Sequence, residues 1–479
     1  MRENARAGPV RRDPAASGRL YQFLRVSHLH KRFSFQTLDE LRAEVERLNL
    51  PIPLETNLAP LGRKVRVYNW EAPNALAVQP MEGCDGTRDG KPSELTYRRY
   101  ERFAAGGAGL LWFEATAVTH EGRANPRQLW ADPANTKDLG RLLEVSDRAA
   151  RRTFGNNYSF VPVLQLTHSG RYSKPDGVGR PIIAQHNPFL DPRNGIGPEY
   201  PVISDAELER LEDDYVRAAG VALEAGFPIV DVKCCHRYLL SELFGGHLRE
   251  GKYGGSFANR TRFLLNVVDK IRSEYGERIR VAVRMNVWDG LPYPYGWGVG
   301  KATEGMAPGS MPVDLTEPKL LLAELERRGV KLVNVTLGNP YYNPHLNRPY
   351  DQPSLEMAIP EEHPLTGVAR MLSAAAELQQ AFPAMAILGS GYSWLRHFLG
   401  HAAAAQLNRG WQTIAGVGRE AFAYPDFARD LLEKGEMAPE KVCIACSKCT
   451  DIMRHGGTTG CVIRDGGTYL PIYRECVKK

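Results

Sequence analysis

The chain has 479 residues, 43% hydrophobic and 24% charged, and its 61 basic and 55 acidic residues leave a formal net charge of +6. Such a length holds one large core with appendages, and the interspersed charges exclude the long basic stripe of a nucleic-acid binder. Eight cysteines, with Cys234 and Cys235 adjacent, exclude a disulfide scaffold, and no apolar run reaches membrane-spanning length.

Residues 1–20 are rich in Arg, Ala, Gly and Pro, which predicts disorder. They hold no apolar run of the kind a signal peptide needs, so a cytoplasmic protein with reduced thiols is expected. "TLDELRAEVERLNL" then places Leu38, Leu41, Val45 and Leu48 at helical spacing, with Thr37 as N-cap and Glu40 three residues on. Eight short apolar runs follow, at 75–80, 109–115, 161–166, 227–233, 279–285, 331–336, 384–390 and 411–417. Their length and β-branched content predict strands buried on both faces. Helical patterns separate most of them. The segment at 204–226 opens on a Ser204/Glu207 capping box, lines up Leu208, Leu211, Tyr215, Ala218, Ala222 and Leu223, and stops at Gly226. This alternation predicts the α/β class: a (β/α)8 TIM barrel with an N-terminal extension and a C-terminal cysteine segment. An open doubly wound sheet would offer a G-x-G-x-x-G turn after an early strand, and none stands there. The expected parts are an extension over 1–70, a barrel over 71–435 and the cysteine segment over 436–479.

Reactive groups of such a barrel sit at the C-terminal ends of its strands. Read off in order, these ends carry Pro80 and Met81, Glu114 to Thr116, Gln165 and His168, then Lys233, His236 and Tyr238. Arg284, Thr336, Gly389 to Gly391, and Gly418 with Arg419 complete the set. The collection suits a large, flat, phosphorylated cofactor. Gln165 would bond a heterocyclic amide edge and Arg284 would compensate electron density on the ring. The "GSG" and "GVGR" loops would offer backbone N–H groups and a guanidinium to a phosphate. "CIACSKC" (443–449) gathers three cysteines, and Cys461 follows after eleven residues. Zinc is one occupant for such a group, although its usual ligands come as two separated pairs. C-x2-C-x2-C with a remote fourth cysteine is the run that wraps a cubane cluster.

"VDVKCCHRYLLSELF", "GKYGGSFANRTRFLLNVVDKIR", "FEATAVTHEGR", "QLTHSGR" and "GVGREAFAYPDF" together resemble the old yellow enzyme (NADH:flavin oxidoreductase) family. With the cysteine run, they resemble its iron–sulfur branch, that of 2,4-dienoyl-CoA reductase and trimethylamine dehydrogenase, over about residues 74–465. The resemblance implies a (β/α)8 barrel binding FMN, with Pro80, Met81, Ala115, Gln165, Arg284, Gly389, Gly391, Gly418 and Arg419 at the flavin. It puts Lys233, His236 and Tyr238 over the flavin face, Lys233 departing from the usual His, Asn or Tyr. The cysteine spacing agrees with the trimethylamine dehydrogenase pattern and implies a [4Fe–4S] cluster on Cys443, Cys446, Cys449 and Cys461. The second, nucleotide-binding region of the larger members is expected to be absent.

The leading expectation is an enzyme that reduces an α,β-unsaturated carbonyl or enoyl thioester by hydride transfer from flavin N5. Lys233 and His236 would hold the oxygen and Tyr238 would protonate the α-carbon. The alternative is an amine or ether oxidase, or demethylase, passing electrons out through the cluster. Its pocket wall for a cation would be the aromatic insertion 288–300. A third is a non-catalytic, zinc-bearing binding module. NAD(P)H, a ferredoxin or a flavoprotein would exchange electrons with the flavin, the substrate would be a small molecule, and homo-oligomer formation is compatible with the sequence. No nucleic-acid or membrane partner is expected.

Overall fold

Runs such as "LLWFEATA" are apolar on both faces, so they can be satisfied only inside a sheet covered on both sides. In the computed structural model, which describes residues 30–477, eight of them close into a parallel barrel. A hairpin of β1 (Val65–Val67) and β2 (Trp70–Ala72) precedes it. The barrel consists of β3 (Leu76–Val78), β4 (Leu110–Ala117), β5 (Val161–Thr167), β6 (Ile229–Cys234), β7 (Arg280–Asn286), β8 (Leu332–Thr336), β9 (Ala386–Gly389) and β10 (Ile414–Val417). Strands pair in sequence order, and β10 closes the ring against β3, with Ala415 opposite Leu76. All eight fall on the expected runs.

The helices follow the expected local chemistry. Ser204 accepts from Glu207 N, and Glu207 accepts from Ser204 N at 2.8 Å, so the capping box starts the helix Asp205–Glu224. Leu208, Leu211, Tyr215, Ala218 and Ala222 are buried on its inner face. Gly226, at φ +91°, takes the left-handed turn that ends it. The hairpin shuts the N-terminal end of the barrel: Tyr68 donates to Val281 O (2.6 Å) and accepts from Lys331 N (2.9 Å). Of the extension, Thr37 caps the helix Leu38–Arg47, and Phe33 packs edge-on against Trp394. The stretch expected to be disordered, residues 1–20, lies outside the described residues.

The cysteine segment lies across the mouth of the barrel. Thr459 N donates to Gly83 O (2.6 Å), Asp351 N donates to Ala445 O (3.1 Å), and Arg98 holds Asp465 through both guanidinium nitrogens. None of the described helices is long and apolar enough to cross a membrane.

Candidate active site

At the C-terminal end of the barrel a cavity of about 1170 Å³, its open mouth included, collects ten of the twelve residues expected at the flavin and over its face. Pro80, Met81, Ala115, Lys233, His236, Tyr238, Arg284, Gly391, Gly418 and Arg419 all line it. Gln165 and Gly389 stand behind the wall. Gln165 donates from Nε2 to Asp231 (2.5 Å), which also accepts from Trp112 Nε1 and from Arg284 N. A Cβ on Gly389 would meet Gln412 Oε1 at 2.1 Å, so this glycine allows a close side-chain approach.

The turn after β6 sets the three expected catalytic groups. His236 and Arg237 both take positive φ (+64° and +58°), a costly pair for non-glycine residues. It puts His236 and Tyr238 on the cavity wall, while Arg237 turns inward to a buried pair with Asp289 (2.8 Å). Lys233 forms no ion pair among the described residues; its Nζ lies 3.8 Å from the centroid of the Tyr238 ring. Asp231 and Glu242, its nearest carboxylates in sequence, are engaged elsewhere, Glu242 with Arg171. Burial lowers the Lys233 ammonium from its usual range. Burial, reinforced by Arg284 and Lys233, holds His236 well below the ordinary imidazole value, so the ring is neutral. Burial pushes the Tyr238 phenol well up, keeping its proton in place.

Several buried donors on this wall find no partner within the protein: Gln79 Nε2, His236 Nε2, Arg284 Nε and Arg419 Nη1. Buried polar groups are rarely left so, and a cluster of them marks a place made for a ligand. Arg419 gives its other nitrogen to Pro349 O (2.6 Å) and sits beside Gly418 and Gly391. A Cβ on Gly418 would meet Met81 Sδ at 2.7 Å, and Gly391 sits at φ +106°. This donor set fits a heterocycle bearing a phosphate.

Sequence reasoning missed Gln79, Glu82, Tyr341 and Arg348, which also line the cavity. Tyr341 and Arg348 come from the long loop after β8, where no periodicity marks an inward side chain. The aromatic insertion is a correction. Trp288 and Trp297 are each 1% exposed and belong to the core, with Trp297 Nε1 bonded to Asn286 O (3.0 Å), so neither walls the cavity at the barrel mouth, and Tyr295 lines a different one. Cys84 is buried, and burial raises its thiol well above the usual range, as expected of a packing residue.

A second cavity, about 370 Å³ with its opening to solvent included, is lined by Cys443, Cys446, Cys449 and Cys461. Arg419, Phe422 and Cys449 line both cavities, so the two adjoin. Two of the sulfurs accept backbone N–H bonds, Cys443 from Ala445 (3.4 Å) and Cys461 from Arg464 (3.3 Å). Ala445 and Ser447 take positive φ, which curls the loop around its sulfurs. Among the described residues, no three His, Cys, Asp or Glu side chains are drawn together to hold a metal ion.

Comparison with known proteins agrees with the barrel. A fungal NADH:flavin oxidoreductase of Gibberella zeae is 29% identical over 299 residues, 56% of this chain and 64% of its own length. A 2-naphthoyl-CoA reductase, solved with 2-naphthoyl-CoA, superposes with a TM-score of 0.66 at 18% identity, covering 85% of this chain and 57% of that one. Histamine dehydrogenase from Rhizobium sp. 4-9 gives 0.63 at 17% identity, covering 85% and 52%. The chain thus spans less than two thirds of each of these three proteins. Residues 65–292 match the model of the NADH:flavin oxidoreductase / NADH oxidase family. That segment holds β1 to β7 and the Lys233–His236–Tyr238 turn, and over it the chain is similar to this family.

Proposed function

We propose that the protein is an FMN-dependent oxidoreductase that reduces the carbon–carbon double bond of an α,β-unsaturated carbonyl or enoyl thioester. The observation that carries this reading is the unpaired ammonium of Lys233 over Tyr238, beside the unpartnered Nε2 of His236. Two donors on this wall suit an oxygen on which negative charge grows, and they stabilise the transition state more than the ground state. Tyr238, holding its proton, is the acid for the α-carbon. Arg419 with Gly391 and Gly418 would hold the phosphate, Gln79 the heterocyclic edge with Gln165 behind it, and Arg284 the ring, beside Pro80, Met81 and Ala115. When bound, FMN supplies the hydride chemistry and a cluster the one-electron exchange.

A [4Fe–4S] cluster on Cys443, Cys446, Cys449 and Cys461 is part of the proposal. Four cysteines on one small cavity and N–H groups aimed at two sulfurs support it. Cluster ligands each bind a different iron, so they stand further apart than the ligands of one ion. The division into extension (1–70), flavin barrel (71–435) and cluster segment (436–479) belongs to the same reading. So does a cytoplasmic setting, in which the eight free cysteines stay reduced.

Amine oxidation is the second reading, favoured by the fold shared with histamine dehydrogenase. It is weaker here, because Lys233 already occupies the Tyr238 ring face and would repel a cationic substrate. Anaerobically purified protein should be yellow-brown, with FMN released on denaturation and about four irons per chain. Cys446→Ala should lose most of the iron and keep the flavin. Stoichiometric zinc without acid-labile sulfide would remove the cluster, and colourless protein that takes up no FMN would remove the enzyme.

A further inference from the structure

The Tyr238 hydroxyl is walled in. The residue is 2% exposed, Lys233 covers one ring face at 3.8 Å, and Glu82 and Cys84, the other titratable groups nearby, make no hydrogen bond to it. Among the described residues its one side-chain hydrogen-bond partner is Tyr341, whose Oη lies 2.8 Å away. Tyr341 is held firmly: its ring stacks on Tyr172 with centroids 4.0 Å apart, and its N–H donates to Asn339 Oδ1 (2.9 Å). Asn339 in turn donates to the Tyr172 hydroxyl (3.0 Å), so ring and hydroxyl are both fixed. Both tyrosines line the cavity; Tyr341 is the more exposed residue of the two, and burial raises its phenol as well.

We propose that Tyr341 is the proton relay for Tyr238, an inference that rests on the double-bond reduction proposed above. As hydride reaches the β-carbon, the Tyr238 O–H bond breaks and its proton forms the new C–H bond at the α-carbon. The phenol oxygen takes the proton of Tyr341, and Tyr341 takes one from water. The sum is one hydride and one solvent proton added across the double bond. A phenolate left at this depth would be costly, because the residue is only 2% exposed. A hydroxyl at 2.8 Å removes that cost by moving its proton in the same event.

The test is Tyr341→Phe, which keeps the stacked ring and removes the hydroxyl. Enone reduction by prereduced enzyme should slow by about tenfold to 100-fold, within the range for proton-transfer catalysis. The solvent-deuterium inventory should be curved in the parent enzyme, with two protons moving, and linear in the variant, with one. Reoxidation by ferricyanide needs no proton at carbon, so it should be unchanged and shows that fold and flavin are intact. An unchanged enone rate, or the same inventory in both proteins, overturns the relay. So does a matching loss with ferricyanide. Tyr238→Phe separates the two layers: if it reduces enones at the parent rate, Tyr238 is not the acid and the relay is overturned, whereas a parent enzyme that reduces no enone removes the double-bond reading itself.

Discussion

Two populations of buried cations divide this molecule. Behind the cavity wall, three are matched by carboxylate, Arg99 with Asp85 (2.8 Å) and Glu114, Arg171 with Glu242 and Asp191, Arg237 with Asp289, while Arg123 is held by backbone carbonyls. On the wall itself, Lys233, Arg284, Arg348 and Arg419 form no ion pair among the described residues. Burying a charge is costly unless it is paired. Paired cations therefore hold the architecture, and the unpaired ones keep their charge for something that enters. Removing a paired cation should cost stability; removing an unpaired one should cost ligand or rate.

The largest effect is expected behind the wall. Arg171→Met strands Glu242, which is fully buried, and should cost about 3–5 kcal/mol in chemical denaturation. A loss below 1 kcal/mol would mean that these pairs are not structural. Next is Arg419→Ala, which should leave the barrel folded and weaken FMN binding by about 10- to 100-fold, the scale of one hydrogen bond to a charged group. Full flavin retention after dialysis would place the phosphate elsewhere. The smallest effect concerns a buried neutral group, His168, whose pKa burial lowers to about 4. The unfolded chain then binds more protons than the fold between pH 6.5 and about 4. The stability His168 contributes is present above pH 6.5 and is lost as pH falls through that window. The stability difference between parent and His168→Gln should therefore shrink from pH 7 to pH 4; a constant difference would show that His168 does not titrate there.

The sequence made the barrel legible because burial on both faces forces an apolar run, and each of the eight runs became a strand. Lys233, His236 and Tyr238 were readable for the same reason, since a strand end fixes where the next few residues point. Tyr341 was not readable. It sits in a loop whose shape depends on Asn339, Tyr172 and the Arg454 bond to Pro340 O (2.9 Å), contacts made across more than a hundred residues. The misread insertion has a physical cause too. Trp288 and Trp297 look like a binding wall in sequence, but the Arg237–Asp289 pair and the Trp297 bond to Asn286 O fold them into the core. The hairpin 65–72 escaped because three-residue strands carry too little pattern.

The most direct test of the account is stopped-flow reoxidation of prereduced enzyme by a panel of enones and enoyl thioesters, comparing the parent with Lys233→Met. That substitution keeps length and removes charge from the wall. The expected result is a loss of roughly 100-fold or more in reoxidation rate, the scale of one well-placed electrostatic donor, with FMN content and thermal stability preserved. Unchanged reoxidation by every member of the panel would contradict it, because the unpaired ammonium would then serve no developing oxyanion.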